Sequence, residues 1–145
     1  MSSTFFASHR VWSAVLLVSL ACSGCFSQTT KAPVREFNEV TPTMGEQALD
    51  AGVADYDNGE YKAAARNLQS ALELGLEPKK QATAYKYLAF IECASGRRLT
   101  CKDQFRKAFD ADSAFELKPA EAGHPMWGPV YRNVKAEVAS SGRQR

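Results

Sequence analysis

The chain has 145 residues, of which 45% are hydrophobic and 23% charged, and its formal net charge is +2. This length allows a single folded domain once a targeting segment is subtracted, and the hydrophobic content suffices for a core. Because acidic and basic residues nearly balance, the chain has no electrostatic footprint for nucleic acid, and we expect no such partner.

The first 24 residues are organised like an export signal. His9 and Arg10 precede an apolar run from Val11 to Ala21, and small residues follow it. A charged start, about ten apolar residues and small residues before a cleavage site are typical of secretory signals. The run is too short for a membrane-spanning helix, which needs about 20 apolar residues.

The end of this segment resembles the lipobox of bacterial lipoproteins, in which a cysteine becomes the acylated N-terminus. A Ser-Gly dipeptide precedes Cys25, as the family pattern requires, although Cys22 stands where leucine is usual. Cys22 is the alternative lipidation site, and an ordinary soluble signal is the alternative to lipidation. The resemblance implies acyl chains such as palmitate on Cys25, which would anchor the protein to a membrane. Since Phe26 rather than aspartate follows, it implies the outer membrane, facing the periplasm.

Residues 25–43 follow the signal and are mostly polar. They contain Pro33 and Pro42 and show no sustained apolar periodicity. We therefore predict that the acylated N-terminus continues as a flexible tether, with a root-mean-square length of roughly 20–25 Å.

The stretch from Gly45 to Ser113 contains the same two-helix unit twice, offset by 37 residues. Residues of similar size coincide in the pairs Gly52 and Ala89, Gly59 and Gly96, Ala64 and Cys101, Leu68 and Phe105, Ala71 and Ala108, and Leu72 and Phe109. In each unit a glycine ends the first helix. Neither unit can bury its apolar stripe alone, so we predict that the two hairpins stack.

This pattern resembles the tetratricopeptide repeat. The turn from Asn58 to Tyr61, followed by Ala64 and the pair Ala71-Leu72, is its most specific part. Two departures are Arg98, where the second turn tyrosine is usual, and the long spacing between the units. The resemblance implies an all-α fold with two such repeats over residues 44–113. An unrelated pair of helical hairpins is the alternative.

The C-terminal part divides into a connection and a helix. Three prolines and two glycines between residues 114 and 129 indicate that residues 114–126 run over the repeat surface. Apolar residues then recur every three or four positions, at Trp127, Val130, Tyr131, Val134 and Val138. We predict a helix over residues 127–139 that caps the stack, followed by a disordered tail, residues 140–145.

Cys93 and Cys101 flank the turn of the second hairpin. Residues at these positions lie opposite one another when two helices run antiparallel. Because an exported protein meets an oxidising environment, we predict a Cys93–Cys101 disulfide. Two buried reduced thiols are the alternative.

The repeat resemblance also implies a concave groove lined by the first helix of each repeat. It places on this face an apolar strip with one cation, suited to a partner's helix or extended peptide. The predicted partner-binding residues are Leu49, Val53, Tyr56, Lys86 and Phe90. The alternative is that the C-terminal helix covers the strip through Trp127 and Tyr131.

Nothing in the sequence indicates enzymatic chemistry. His124 is the one histidine beyond the signal, and it lacks a histidine partner for a metal site or a confident nucleophile for catalysis. We therefore expect no catalytic site, metal, cofactor or small-molecule substrate. A cell-envelope enzyme is the disfavoured hypothesis.

The segment from Phe115 to Tyr131, placed behind a repeat that contains Cys101, resembles the small repeat lipoproteins associated with type VI secretion systems of proteobacteria. This resemblance implies a protein-binding scaffold that is an accessory component of the secretion envelope complex. The alternative is a pilotin or assembly factor for a pilus, a secretin or outer-membrane proteins.

Overall fold

The computed structural model describes residues 41–142, and every regular element in this range is helical, which confirms the all-α prediction. The helices are α1 (Met44–Asp57), α2 (Tyr61–Leu74), α3 (Pro78–Ala94), α4 (Arg98–Ala111), α5 (Pro119–Ala122) and α6 (Gly128–Gly142). The signal, the lipidation site Cys25 and the tether as far as residue 40 lie outside the described residues, as do residues 143–145. None of the six helices is long and apolar enough to cross a bilayer.

Helices α1 and α2 form one hairpin, and α3 and α4 form a second, as the repeated pattern predicts. The turns contain Gly59 and Gly96, whose φ angles of 80° and 75° lie in the left-handed region that glycine adopts without strain. The hairpins stack because α3 packs against both α1 and α2.

Gly52 allows the close approach of α1 and α2. A Cβ atom at this position would lie 2.8 Å from Cγ of Leu68 and 3.0 Å from its backbone nitrogen. The equivalent residue of the second hairpin, Ala89, is fully buried. The small residues of the repeated pattern therefore mark the contact between the two helices of a hairpin.

The start of α1 is fixed by a capping box. The Thr43 hydroxyl accepts a hydrogen bond from the Glu46 backbone N–H at 3.2 Å, and the Glu46 carboxylate accepts from the Thr43 N–H at 2.7 Å. The Thr-x-x-Glu spacing is a sequence signature of a helix start. Glu46 also forms an ion pair with Lys80 of α3, which links the N-terminal ends of the two first helices.

Helix α3 is the centre of the molecule because it contributes to two hydrophobic clusters on different sides. The first cluster joins α3 to the first hairpin and consists of Leu49, Ala64, Leu68, Ala71, Ala84, Leu88 and Ile91. The second joins α3 to α4 and the C-terminal part, and it includes Phe90, Phe105, Phe109, Trp127 and Tyr131. Burial on several sides explains why α3 is apolar around most of its circumference.

The disulfide predicted between Cys93 and Cys101 is confirmed. The two cysteines join the end of α3 to the first turn of α4, with their Cα atoms 5.2 Å apart. Both side chains are buried, and the bond is part of the second cluster.

The C-terminal part is more ordered than the sequence indicates. Residues 114–126 contain the short helix α5 and insert Phe115 and Leu117 into the core, instead of only running over its surface. Helix α6 packs against α4 and ends at Gly142 rather than at residue 139. The first three residues of the predicted tail, 140–142, are therefore helical.

Candidate functional site

The five residues predicted to bind a partner are divided between the core and the surface. Leu49 and Phe90 are only 5% and 3% exposed, whereas Val53 and Tyr56 are half-buried. Leu49 and Phe90 are therefore not accessible to a partner, contrary to the prediction. Leu49 faces the first hydrophobic cluster, and Phe90 is covered by the C-terminal part of the chain.

Trp127 is the residue that covers Phe90. The two rings stack with their centroids 4.3 Å apart and their planes at 23°. The Trp127 indole N–H donates to the backbone carbonyl of Glu121 at 2.9 Å, which fixes the ring. Of the two covering residues that the alternative named, Trp127 has this role, while Tyr131 packs against Phe105 and Phe109 of α4.

Lys86 is committed to an internal ion pair rather than open to a partner. Its ammonium lies 2.7 Å from Oε1 of Glu121 in α5, and the residue is 9% exposed. The same ammonium lies 4.4 Å from the ring centroid of Tyr87 and 5.6 Å from that of Phe90. One carboxylate and two aromatic rings therefore compensate the positive charge of Lys86. The prediction that Lys86 is accessible to a partner is wrong.

Three tyrosines at the junction of α1, α2 and α3 form the part of the predicted face that stays accessible. We call Tyr56, Tyr61 and Tyr87 the tyrosine surface. The Tyr56 ring lies 5.0 Å from that of Tyr87 and 5.5 Å from that of Tyr61, and it also approaches Phe90 at 6.2 Å. Tyr61 is 46% exposed, while the other two are half-buried. The surface therefore packs on the core through Tyr56 and Phe90, and Tyr61 leaves one side of it exposed.

Sequence reasoning missed two of these three residues. Tyr87 falls beside the face that helical spacing assigns to Lys86 and Phe90, and the repeat pattern assigns Tyr61 only to the turn. The available signal was the turn itself, because a short turn brings the end of α1 and the start of α2 together. Tyr61 therefore lies near Tyr56.

Burial and the nearby carboxylates favour the neutral phenol at Tyr56 and Tyr87. Burial, followed by the neighbouring Tyr61 and Tyr87 and the carboxylates of Asp57 and Glu121, raises the pKa of Tyr56 to about 12. Burial, Asp57 and Glu121 also raise the pKa of Tyr87, while Lys118 acts against them. The phenols of Tyr56 and Tyr87 therefore stay protonated, and Asp57 adds a negative charge beside them.

His124 has a packing role. Its ring stacks on that of Trp127 with centroids 3.4 Å apart and planes at 5°, and its Nδ1 accepts a hydrogen bond from the Met126 N–H at 3.3 Å. Between residues 41 and 142, no three His, Cys, Asp or Glu side chains are grouped so that they could hold a metal ion.

The tyrosine surface has the chemistry of a recognition site. Tyrosine rings offer a large apolar area with little conformational entropy to lose, and their hydroxyl groups can pair with polar atoms. Tyrosine is also enriched among residues that dominate the binding energy of protein interfaces. No family model, curated protein or solved structure significantly matches the chain.

Proposed function

We propose that this chain is a non-enzymatic scaffold that binds another protein through the tyrosine surface. The observation that carries the proposal is the group of three contacting tyrosine rings at the junction of α1, α2 and α3, with Tyr61 46% exposed. The rings of Tyr56 and Tyr87 rest on Phe90 of the packed core, and Tyr61 packs against Tyr56, so little ordering entropy opposes binding.

The repeats are of the tetratricopeptide type in this proposal. The paired glycine turns, and the small residues that coincide at the contact between the helices of each hairpin, support it. Two repeats followed by a helix on α4 then form a short array, and its first helices present the partner-binding face.

The protein is a lipoprotein of the outer membrane that faces the periplasm. The export signal and the lipobox resemblance at Cys25 support this location. The Cys93–Cys101 disulfide supports it independently, since such bonds persist in oxidising compartments.

The partner is a protein component of a type VI secretion envelope complex. This step rests on the resemblance of residues 115–131 to the lipoproteins of that system. That segment holds Glu121 and Trp127, which pair with Lys86 and stack on Phe90. Its packing shapes one border of the tyrosine surface.

The test is an affinity pull-down from crosslinked cell envelopes with three full-length forms of the protein. The native chain is compared with the double variant Tyr61→Ala, Tyr87→Ala and with Leu74→Ala. Leu74 is 50% exposed and lies at the far end of α2, which makes it a matched control for loss of an exposed apolar side chain. Circular dichroism checks that all three forms are folded.

We expect the native protein and Leu74→Ala to recover secretion-complex membrane proteins and the tyrosine variant to lose them. Equal recovery by all three forms would refute the tyrosine surface as the site. Recovery of pilus, secretin or outer-membrane assembly proteins instead would refute the assignment to type VI secretion.

A further inference from the structure

We propose that the tyrosine surface binds a basic segment of its partner, with an arginine or lysine side chain placed against the open rings of this surface beside Asp57. This inference rests on the proposed function, because it specifies the chemistry of the partner at the same surface. The charges that border the rings, and a cation that this part of the molecule already holds, support it.

Lys86 shows how this environment stabilises a cation. Its ammonium lies over Tyr87 at 4.4 Å and pairs with Glu121 at 2.7 Å, in a position that is 9% exposed. An aromatic face and a carboxylate thus replace much of the water around a buried positive charge. This is an internal example of the recognition that we propose for the partner.

An aromatic face and a carboxylate also occur together at the tyrosine surface. Asp57 ends α1 directly after Tyr56 and is exposed, and its charge raises the pKa of Tyr56 and Tyr87. Asp50 and Val53 lie on the same stripe of α1 as Asp57, at helical spacings of three and four. Among the described residues, neither Asp50 nor Asp57 forms a salt bridge.

The other charges near the surface set the direction of the partner segment. Glu46 is paired with Lys80, and Glu121 with Lys86, so these pairs are close to neutral as units. Lys62 and Arg66 of α2 are exposed and line one pocket together with Tyr61, so the positive charges beside that ring lie on its α2 side. Lys118 is exposed and acts on Tyr87 from the C-terminal part of the chain. A basic segment is therefore attracted along α1, past Asp50 and Asp57, rather than across α2.

The probe is a fluorescein-labelled peptide of about twelve residues with arginine at every third position, and its reference replaces each arginine with neutral citrulline. Fluorescence anisotropy measures the binding of both peptides to the full-length chain at near-physiological salt. We expect the arginine peptide to bind at least about tenfold more tightly, because citrulline keeps the shape but lacks the charge. Exposed cation–π and ion-pair contacts support a difference of this size when several act together.

Two variants and two matched controls locate the binding. We expect Asp57→Asn and Tyr61→Ala to weaken binding of the arginine peptide roughly three- to tenfold. Asp110→Asn, an exposed aspartate of α4, and Leu74→Ala should leave it unchanged.

Equal binding of the two peptides would overturn the inference, and so would equal effects of Asp57→Asn and Asp110→Asn. The proposed function has a separate readout. If the pull-down depends on Tyr61 and Tyr87 while the peptides bind equally, a partner binds here without a basic segment, and only the inference fails.

Discussion

Gly52 is the residue whose size sets the spacing of the first hairpin. The added methyl group of Gly52→Ala would lie 2.8 Å from the Leu68 side chain and 3.0 Å from its backbone nitrogen. Overpacking of this kind costs about 1–3 kcal/mol, which the higher helix propensity of alanine offsets by less than about 1 kcal/mol. We expect Gly52→Ala to lower the free energy of unfolding by about 1–2 kcal/mol in urea titrations.

Gly142→Ala is the control for this substitution. It introduces the same methyl group in α6, where no heavy atom lies within 4 Å of the new Cβ position. We expect its stability to stay within about 0.5 kcal/mol of the native value. Equal destabilisation by both substitutions would contradict the close-approach role of Gly52.

Tyr56 makes stability depend on pH in the alkaline range. Its pKa is raised to about 12, above the value of about 10 for an unfolded tyrosine. Between these values the unfolded chain loses the proton that folded Tyr56 keeps, so the folded state binds more protons and stability falls as the pH rises. We expect Tyr56→Phe to lose less stability than the native protein between pH 10 and pH 12. Equal losses of stability in the native protein and in Tyr56→Phe, measured by urea titration, would contradict the raised pKa.

At the scale of the elements, the disulfide holds the second hairpin together. Cys93 and Cys101 are eight positions apart, and a closed loop of this size removes unfolded-state entropy worth about 2–3 kcal/mol. We expect the double variant Cys93→Ala, Cys101→Ala to lose about this much stability. Dithiothreitol should destabilise the native protein similarly and leave the variant unchanged. Insensitivity of the native protein to dithiothreitol would argue against the bond.

The ion pair between Lys86 and Glu121 connects α3 with α5. In Glu121→Gln the amide oxygen can still accept the Lys118 N–H bond, which is 2.9 Å long in the native protein, but the buried ammonium loses its countercharge. We expect a loss of about 1–3 kcal/mol in the free energy of unfolding. The double variant Lys86→Met, Glu121→Gln should be more stable than Glu121→Gln alone. Additive losses, measured by chemical denaturation, would show that the pair does not act as a unit.

The helical hairpins could be predicted from the sequence because local signals define them. Gly59 and Gly96 end the first helix of each hairpin, and the small residues Gly52 and Ala89 mark the close contacts. The connection over residues 114–126 was less predictable. Its prolines and glycines exclude a long helix, but they carry no information on where Phe115 and Leu117 pack.

At the scale of the whole molecule, the candidate site was predicted only in part. Tyr56 was identified, but helical spacing alone placed Phe90 and Lys86 on an open face. Both are covered by Trp127 and Glu121, which lie more than thirty positions along the chain. Such long-range packing leaves no periodic signal in the helix that it covers, so the open part of the face becomes apparent only in the folded structure.

We propose that the tyrosine surface contacts another protein in the cell envelope. Site-specific photocrosslinking in living cells tests it most directly, with a benzophenone amino acid replacing either Tyr61 or Leu74 in the full-length chain. These two residues are 46% and 50% exposed and lie about 20 Å apart along α2, so accessibility is matched while location differs. We predict a discrete crosslinked protein from position 61 and none from position 74. The same crosslinked protein from both positions, or from position 74 alone, would show that the tyrosine surface is not the contact site.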